Sequence, residues 1–371
     1  MSYALTTLWH DRQRYLPGVL AVAFSALLMV MQFGLLIGLF AITSIPIDQS
    51  HADLWVGSPE VLSVDLGRPI PEHYLCEVAA QPEVVRCERF LQGFMHWTKP
   101  NGGSELCIVV GLSLGDHALG DIHGLTRDMR LRLAEPGAIV VDEGELPRLG
   151  IRGIGSVAEI TNQRVQVVGL VHGVRSLSGP YVFCSIPTAR GLLRMTTDEI
   201  TYVLAQCRRP EDAATVAERL RSYPTMSAFP SEAFSLHSRL HWLTKTKAGI
   251  ALGLAAALGL LVGAVVTSQT LYAATAASFR EYAVLRALGI PRWRMGLTVM
   301  AQSFWVGTAG LALALPIVFG LSRAARAAAV PVTIPGELVI GAAAVTMVMA
   351  LVSGLAALRS LRLIEPAVLL R

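Results

Sequence analysis

Lysine is almost absent from this chain of 371 residues: Lys99, Lys245 and Lys247 are the only three, and none follows a glycine. A Gly-Lys-Ser/Thr phosphate cradle therefore does not exist here, and any nucleotide hydrolysis linked to this chain belongs to another one. Charge of either sign is scarce, at 16% of residues, and aromatics make up 7%. The net charge of +4 contains no basic block of the kind that neutralises nucleic-acid phosphates. Cysteine is limited to Cys76, Cys87, Cys107, Cys184 and Cys207, all in one central stretch. An odd count leaves the pairing undetermined. Cys76 with Cys87 is one candidate disulfide, and mostly buried free thiols are the alternative.

What is present is apolar length. Four runs lack any charged residue: 17–43, 248–279, 295–321 and 338–358. A bilayer core is crossed by roughly 20 apolar residues as a helix, so each run is long enough. The first exceeds the roughly 7–15 residues of a signal-peptide core and ends in no A-x-A site, so it reads as a retained span. The expected fold is an α-helical membrane protein with four transmembrane helices and a mixed α/β extracytoplasmic domain inserted between helices 1 and 2.

Arginine placement sets the expected orientation. Arg12 and Arg14 precede the first run; Arg280, Arg286, Arg292 and Arg294 separate the second and third; Arg359, Arg362 and Arg371 follow the fourth. Four spans bring all three groups to one side, the cytoplasmic one by the positive-inside rule, against the smaller opposing set Lys245, Lys247, Arg323 and Arg326. The organisation read from this is a cytoplasmic amphipathic helix at 1–16 with an elbow at Pro17, and a first span at 17–43. A periplasmic domain at 44–245 and a long second span at 246–278 follow. A cytoplasmic helix and turn at 279–294 leads to a third span at 295–321, a short periplasmic loop at 322–337, a fourth span at 338–358 and a cytoplasmic tail at 359–371.

Within the central domain, β-rich apolar runs bounded by turn residues predict strands at 53–56, 106–110, 138–141, 164–171, 181–185 and 201–206. Residues 211–221 predict a helix, with acids in its first turn and arginine in its last. The second run, 32 residues without charge, is about 48 Å long as a helix, against a core of about 30 Å. It must tilt or protrude, and a rod of that length suits the transmission of motion. It carries small residues four apart, Gly249 with Gly253 and Gly259 with Gly263. Such pairs let helices approach closely, either within one chain or at the seam of a dimer.

Enzyme-like patterns are weak. GLSLG at 111–115 fits the nucleophile-elbow spacing around Ser113, but Gly120 and Gly124 interrupt the helix that an elbow requires. His117 with His123, and His237 with His241, lack a clear third metal ligand. Gln32, Gln269 and Gln302 lie at membrane depth, where interhelical hydrogen bonding is the simpler use.

The segment 278–295, SFREYAVLRALGIPRWRM, is the most specific signal. An apolar strip of Ala283, Val284, Ala287 and Leu288 is bordered by Arg280, Glu281 and Arg286. Gly289 suits a helix C-terminus, Pro291 blocks continuation, and Trp293 suits a membrane interface. This stretch resembles the motif after the second span in the FtsX/MacB/LolC group of ABC-transporter permeases, and IEPAVLLR at 364–371 resembles that group's C-terminal signature. FSALLMVMQF at 24–33, HADLW at 51–55 and the region 242–272 resemble the DevC-like branch, permeases of DevBCA-type exporters. The resemblance runs nearly end to end and weakens over 59–101.

That resemblance implies a homodimeric inner-membrane permease subunit without catalysis or cofactor of its own. ATP and Mg would sit on a separate P-loop ATPase, engaged through Arg280, Glu281, Ala283, Leu285, Arg286, Leu288 and Gly289. Gly249, Gly253, Gly259 and Gly263 become dimer-seam candidates. A membrane-fusion adaptor of HlyD type would connect the periplasmic domain to an outer-membrane duct. An FtsX-like signalling subunit controlling a periplasmic enzyme, or a LolC/LolE-like lipoprotein-releasing permease, are the alternative functions. The cargo is not readable.

Overall fold

The computed structural model describes residues 12–100, 102–277, 291–327, 330 and 332–362. The chain divides into two units, one of Met1–Gly38 with Ile250–Arg371 and one of Leu39–Gly249. Among the described residues four helices are long and apolar enough to cross a membrane, with spans at Tyr15–Asp48, Gly249–Thr270, Gly296–Ala325 and Gly336–Leu355. The mixed α/β domain lies between the first and the second.

In chain order the helices are α1 (Arg12–Ala41), α2 (Ile45–Asp48), α3 (Tyr74–Ala79), α4 (Arg127–Leu133), α5 (Leu146–Leu149), α6 (Ile186–Leu193), α7 (Asp212–Arg221), α8 (Ser231–Lys245), α9 (Lys247–Ala277), α10 (Arg292–Ala327) and α11 (Gly336–Arg362). Where an elbow at Pro17 is expected, α1 runs straight through it. A proline near a helix start removes one N–H and need not end the helix.

The helical unit is held by small residues. A Cβ added at Gly259 would meet Leu28 at 2.7 Å and Gln32 at 3.3 Å, and one at Gly263 would meet Ser25 at 3.2 Å. The Ser25 hydroxyl is shared between the carbonyls of Ala21 at 2.8 Å and Gly263 at 3.0 Å. On another side α1 meets α10, where a Cβ at Gly310 would come within 2.6 Å of Val22. Helix α10 meets α11 through Gly307 against Met347 and Ala350, and through Gly354 against Ser303. Gln302 is buried, whereas Gln269 is exposed. Leu254, Leu258, Leu261 and Val265 are exposed along one face of α9, a surface suited to hydrocarbon.

The inserted domain contains strands β1 (Leu54–Gly57), β2 (Ile70–Pro71), β3 (Val84–Thr98), β4 (Ser104–Leu112), β5 (Ala138–Asp142), β6 (Val157–Ile160), β7 (Gln163–Val171), β8 (Tyr181–Ser185), β9 (Glu199–Ile200), β10 (Tyr202–Cys207) and β11 (Ser227–Pro230). Strands β2 and β9 pair by themselves; the other nine form one sheet in the order β11-β1-β10-β3-β4-β8-β5-β7-β6. An added pairing of β6 with the end of β3, Trp97 opposite Ile160, closes β3, β4, β8, β5, β7 and β6 into a ring. Closure removes edges that would otherwise seek partners.

The six predicted strands correspond to β1, β4, β5, β7, β8 and β10, and the predicted helix to α7. The longest strand, β3, is absent from the sequence reading because Arg86, Glu88 and Arg89 break its apolar pattern. The fold supplies their partners: Arg86 pairs with Glu88, Arg89 pairs with Glu72, and Glu88 accepts from the Leu119 amide at 3.0 Å. All five thiols are free, so the Cys76–Cys87 bridge does not form: Cys76 is exposed on α3, and Cys107, Cys184 and Cys207 are buried.

Ring closure has one polar anchor. Trp97 is fully buried, and its indole N–H donates to the Leu149 carbonyl at 3.0 Å. Trp97→Phe keeps most of the volume and orphans that carbonyl. We expect a loss of about 1–3 kcal/mol, measured as faster amide exchange in β6.

Candidate functional site

The two connections between the inserted domain and the spans converge within the domain unit. Helix α2 is the last turn of the Tyr15–Asp48 span, and α8 precedes the second span in sequence. Asp48, the last residue of α2, accepts from Ser235 Oγ at 2.6 Å through Oδ1. Its Oδ2 accepts from Arg239 Nη2 at 2.6 Å and from Ser44 Oγ at 2.7 Å. Arg239 Nε donates to Ser44 Oγ at 2.7 Å, completing a planar clamp across 191 residues of sequence. Asp48 and Arg239 are about one-third exposed, so water screens the pair and its value lies in geometry more than in energy.

Helix α8 is seated on the sheet by Phe234, which is fully buried. Phe234 packs against Trp55 at 5.9 Å, Tyr202 at 5.9 Å and Phe229 at 5.2 Å between ring centroids. After Lys245 the helix breaks. Thr246 is extended (φ −95°, ψ 146°), its hydroxyl donates to the Trp242 carbonyl, and it accepts from the Gly249 amide at 3.0 Å. A Cβ at Gly249 would lie 2.1 Å from the Trp242 carbonyl oxygen. Only glycine lets the backbone pass that close. The second span is therefore not continuous with α8. It is a separate 31-residue helix, α9, that begins at Lys247 after the extended Thr246.

The glycines proposed for a dimer seam thus separate. Gly249 shapes the turn after α8, and Gly259 and Gly263 receive α1 of the same chain. Gly253 alone has nothing within 4 Å of an added Cβ. The proposed coupling residues Arg280, Glu281, Ala283, Leu285, Arg286, Leu288 and Gly289 lie outside the described residues, as does the terminal signature at 364–371.

The enzyme-like motifs do not assemble. Residues 113–126, after β4, run through turns and bends with no helix before α4, so Ser113 is on no strand-to-helix elbow. His117 and His123 are exposed, and His237 stacks on Phe229 at 5.4 Å. Among the described residues no group of three His, Cys, Asp or Glu side chains could hold a metal ion.

The clamp was missed in sequence because it is non-local. Its one local signal was an acid soon after the first apolar run, Asp48; nothing marks Arg239 apart from Lys245 and Lys247, which lie closer to the next run.

Comparison with known proteins adds the following. Residues 253–366 match the family model described as FtsX-like permease C-terminal, which takes in most of α9, all of α10 and α11, and the segment between α9 and α10. No curated protein matches the chain. Among solved structures, the chain is similar to the periplasmic region of MacB from Actinobacillus actinomycetemcomitans, with 11% identity and a TM-score of 0.35, covering 51% of this chain and 94% of that one. It is also similar to the extracellular domain of the ABC-type transporter YknZ from Gram-positive bacteria, with 11% identity and a TM-score of 0.33, covering 48% of this chain and 99% of that one.

Two expectations follow for this site. Gly263→Leu should force α1 and α9 apart and destabilise the helical unit by about 1–3 kcal/mol, while Gly253→Ala is neutral or stabilising by up to about 1 kcal/mol. Thermal unfolding of the detergent-solubilised chain distinguishes the two. Arg239→Ala should cost only about 1 kcal/mol of stability, yet free α2 from α8, seen as a shortened cross-linking yield between cysteines placed on those helices.

Proposed function

We propose that this chain is the permease subunit of an ATP-driven ABC exporter of the mechanotransmission type, DevC-like within the FtsX/MacB group. The observation that carries the reading is the placement of α9. In sequence, this 31-residue helix follows the Thr246 turn that ends the α/β domain, runs into the FtsX-like match and leads to the Arg280–Gly289 segment with its docking-helix pattern.

In this reading the chain sits in the inner membrane with both termini cytoplasmic and the α/β domain in the periplasm. Two copies pair. A separate P-loop ATPase, holding ATP and Mg, docks on Arg280, Glu281, Ala283, Leu285, Arg286, Leu288 and Gly289. Closure of the ATPase pair displaces α9 lengthwise. At about 46 Å, α9 exceeds the roughly 30 Å of the bilayer core, so part of it projects beyond the hydrocarbon. The Thr246 turn converts its displacement into a tilt of α8, and the Asp48–Arg239 clamp makes α2 follow. The α/β domain then acts on a membrane-fusion adaptor and, through it, on an outer-membrane duct. This chain contributes motion and no bond chemistry.

The test is mild-detergent purification of the chain from its host, followed by mass spectrometry. An ATPase recovered with a membrane-fusion adaptor supports the exporter. An ATPase recovered with a wall hydrolase or its activator replaces it by a signalling device. Glu281→Lys with Leu285→Asp should abolish ATPase recovery and lower ATP-dependent export at least tenfold, with the α/β domain still folded. Unchanged recovery removes the docking assignment.

A further inference from the structure

Asp65 lies on the single helical turn Val64–Leu66 and is 3% exposed. Its Oδ1 accepts from Gln92 Nε2 on β3 and from the Tyr181 hydroxyl on β8, each at 3.0 Å. Two buried oxygens beside those bonds have no partner: Asp65 Oδ2 and Gln92 Oε1. An ionised carboxylate and an amide carbonyl are both acceptors, so neither can satisfy the other. A carboxylic acid removes the conflict. Its Oδ2–H donates to Gln92 Oε1 while Oδ1 keeps the bond from Nε2, giving the two-bond ring of an acid–amide pair.

We infer that Asp65 is a buried proton-binding site whose neutral acid form pairs with the Gln92 amide and latches residues 63–66 between the sheet and α8. The step is simple in its balance: Oδ2 takes one proton from solvent, the charge falls from −1 to zero, and one O–H···O bond forms.

The same turn is held from the opposite side by α8. The Val64 amide donates to Ser238 Oγ at 3.1 Å, and the Trp242 indole donates to Ser63 Oγ at 3.1 Å. From β10, the Tyr202 hydroxyl donates to the Val64 carbonyl at 2.8 Å. The titratable groups facing Asp65 are thus the phenols of Tyr181 and Tyr202, both pushed above their ordinary range, chiefly by burial. Gln92 and the α8 contacts are neutral. With no cation among these contacts, burial raises the Asp65 carboxyl to about 6, against the opposing effect of its hydrogen bonds to Tyr181 and Gln92. The sign follows. A carboxyl that binds its proton more tightly folded than open stabilises the latch at low pH and loses that contribution as pH rises through the folded value.

Amide hydrogen exchange on the full chain in detergent tests this at residues 63–66 and 236–245, with intrinsic pH effects removed. The opening constant should rise about tenfold per pH unit between pH 4 and 6 and level off above. Asp65→Asn, whose amide can form both ring bonds without titrating, should give a flat profile. A flat wild-type profile, or an Asp65→Asn profile that still rises, overturns the inference. A carboxyl carbon NMR titration of the wild-type chain needs no variant. One aspartate with a midpoint near 6 is expected, and aspartates that all titrate near the ordinary value of about 3.9 overturn it.

Discussion

Hydrocarbon offers no hydrogen-bond partner, so each backbone N–H and C=O that crosses it must be satisfied within its own segment. The rest of this structure adapts to that requirement. The four spans are helices built around uncharged runs, and hydroxyls in them turn back on the helix: Thr298 to the Arg294 carbonyl, Thr308 to Phe304 and Ser353 to Met349. Cohesion cannot come from driving apolar side chains out of water, because the surroundings are equally apolar. It comes from close approach, and Gly259, Gly263, Gly307, Gly310 and Gly354 are where the helices approach.

Outside the spans the chemistry reverses. The α/β domain is closed by β3, which pairs with β10 along its first half, with β4 along its second and with β6 at its end. Hydrophobic burial on both faces makes this a stiff body. Two polar contacts order the ends of the domain unit: the long-range Asp48–Arg239 clamp between α2 and α8, and the local Thr246–Gly249 turn after α8. The turn that carries Asp65 is held against α8 by Ser63 and Val64, while Asp65 itself ties it to β3 and β8. Polar contacts suit such places because they fix direction and register, which apolar packing leaves loose.

Much of the architecture was legible in sequence. The four spans announce themselves as uncharged runs, and six strands stand out as β-rich runs between turn residues. Elements with mixed patterns were not legible. Strand β3 reads as polar because Arg86, Glu88 and Arg89 take partners from Glu72 and the Leu119 backbone, residues that no local window contains. The glycine pairs were legible as close-approach positions. Their neighbours were not, because spacing on one helix does not say which helix will fill the groove. Gly259 and Gly263 receive the chain's own first helix, and Gly249 shapes a turn.

Sequence by itself determined that four helices span the apolar phase, that a mixed domain separates the first two, and that no phosphate-binding loop is present. These follow from composition and run length, which act locally. Tertiary structure alone decided that β3 closes a ring, that Asp48 meets Arg239, and that Asp65 faces Gln92 and Tyr181. Each joins groups far apart in the chain, and only the packed fold sets the distances and the loss of water that give a carboxylate its partners or withhold them.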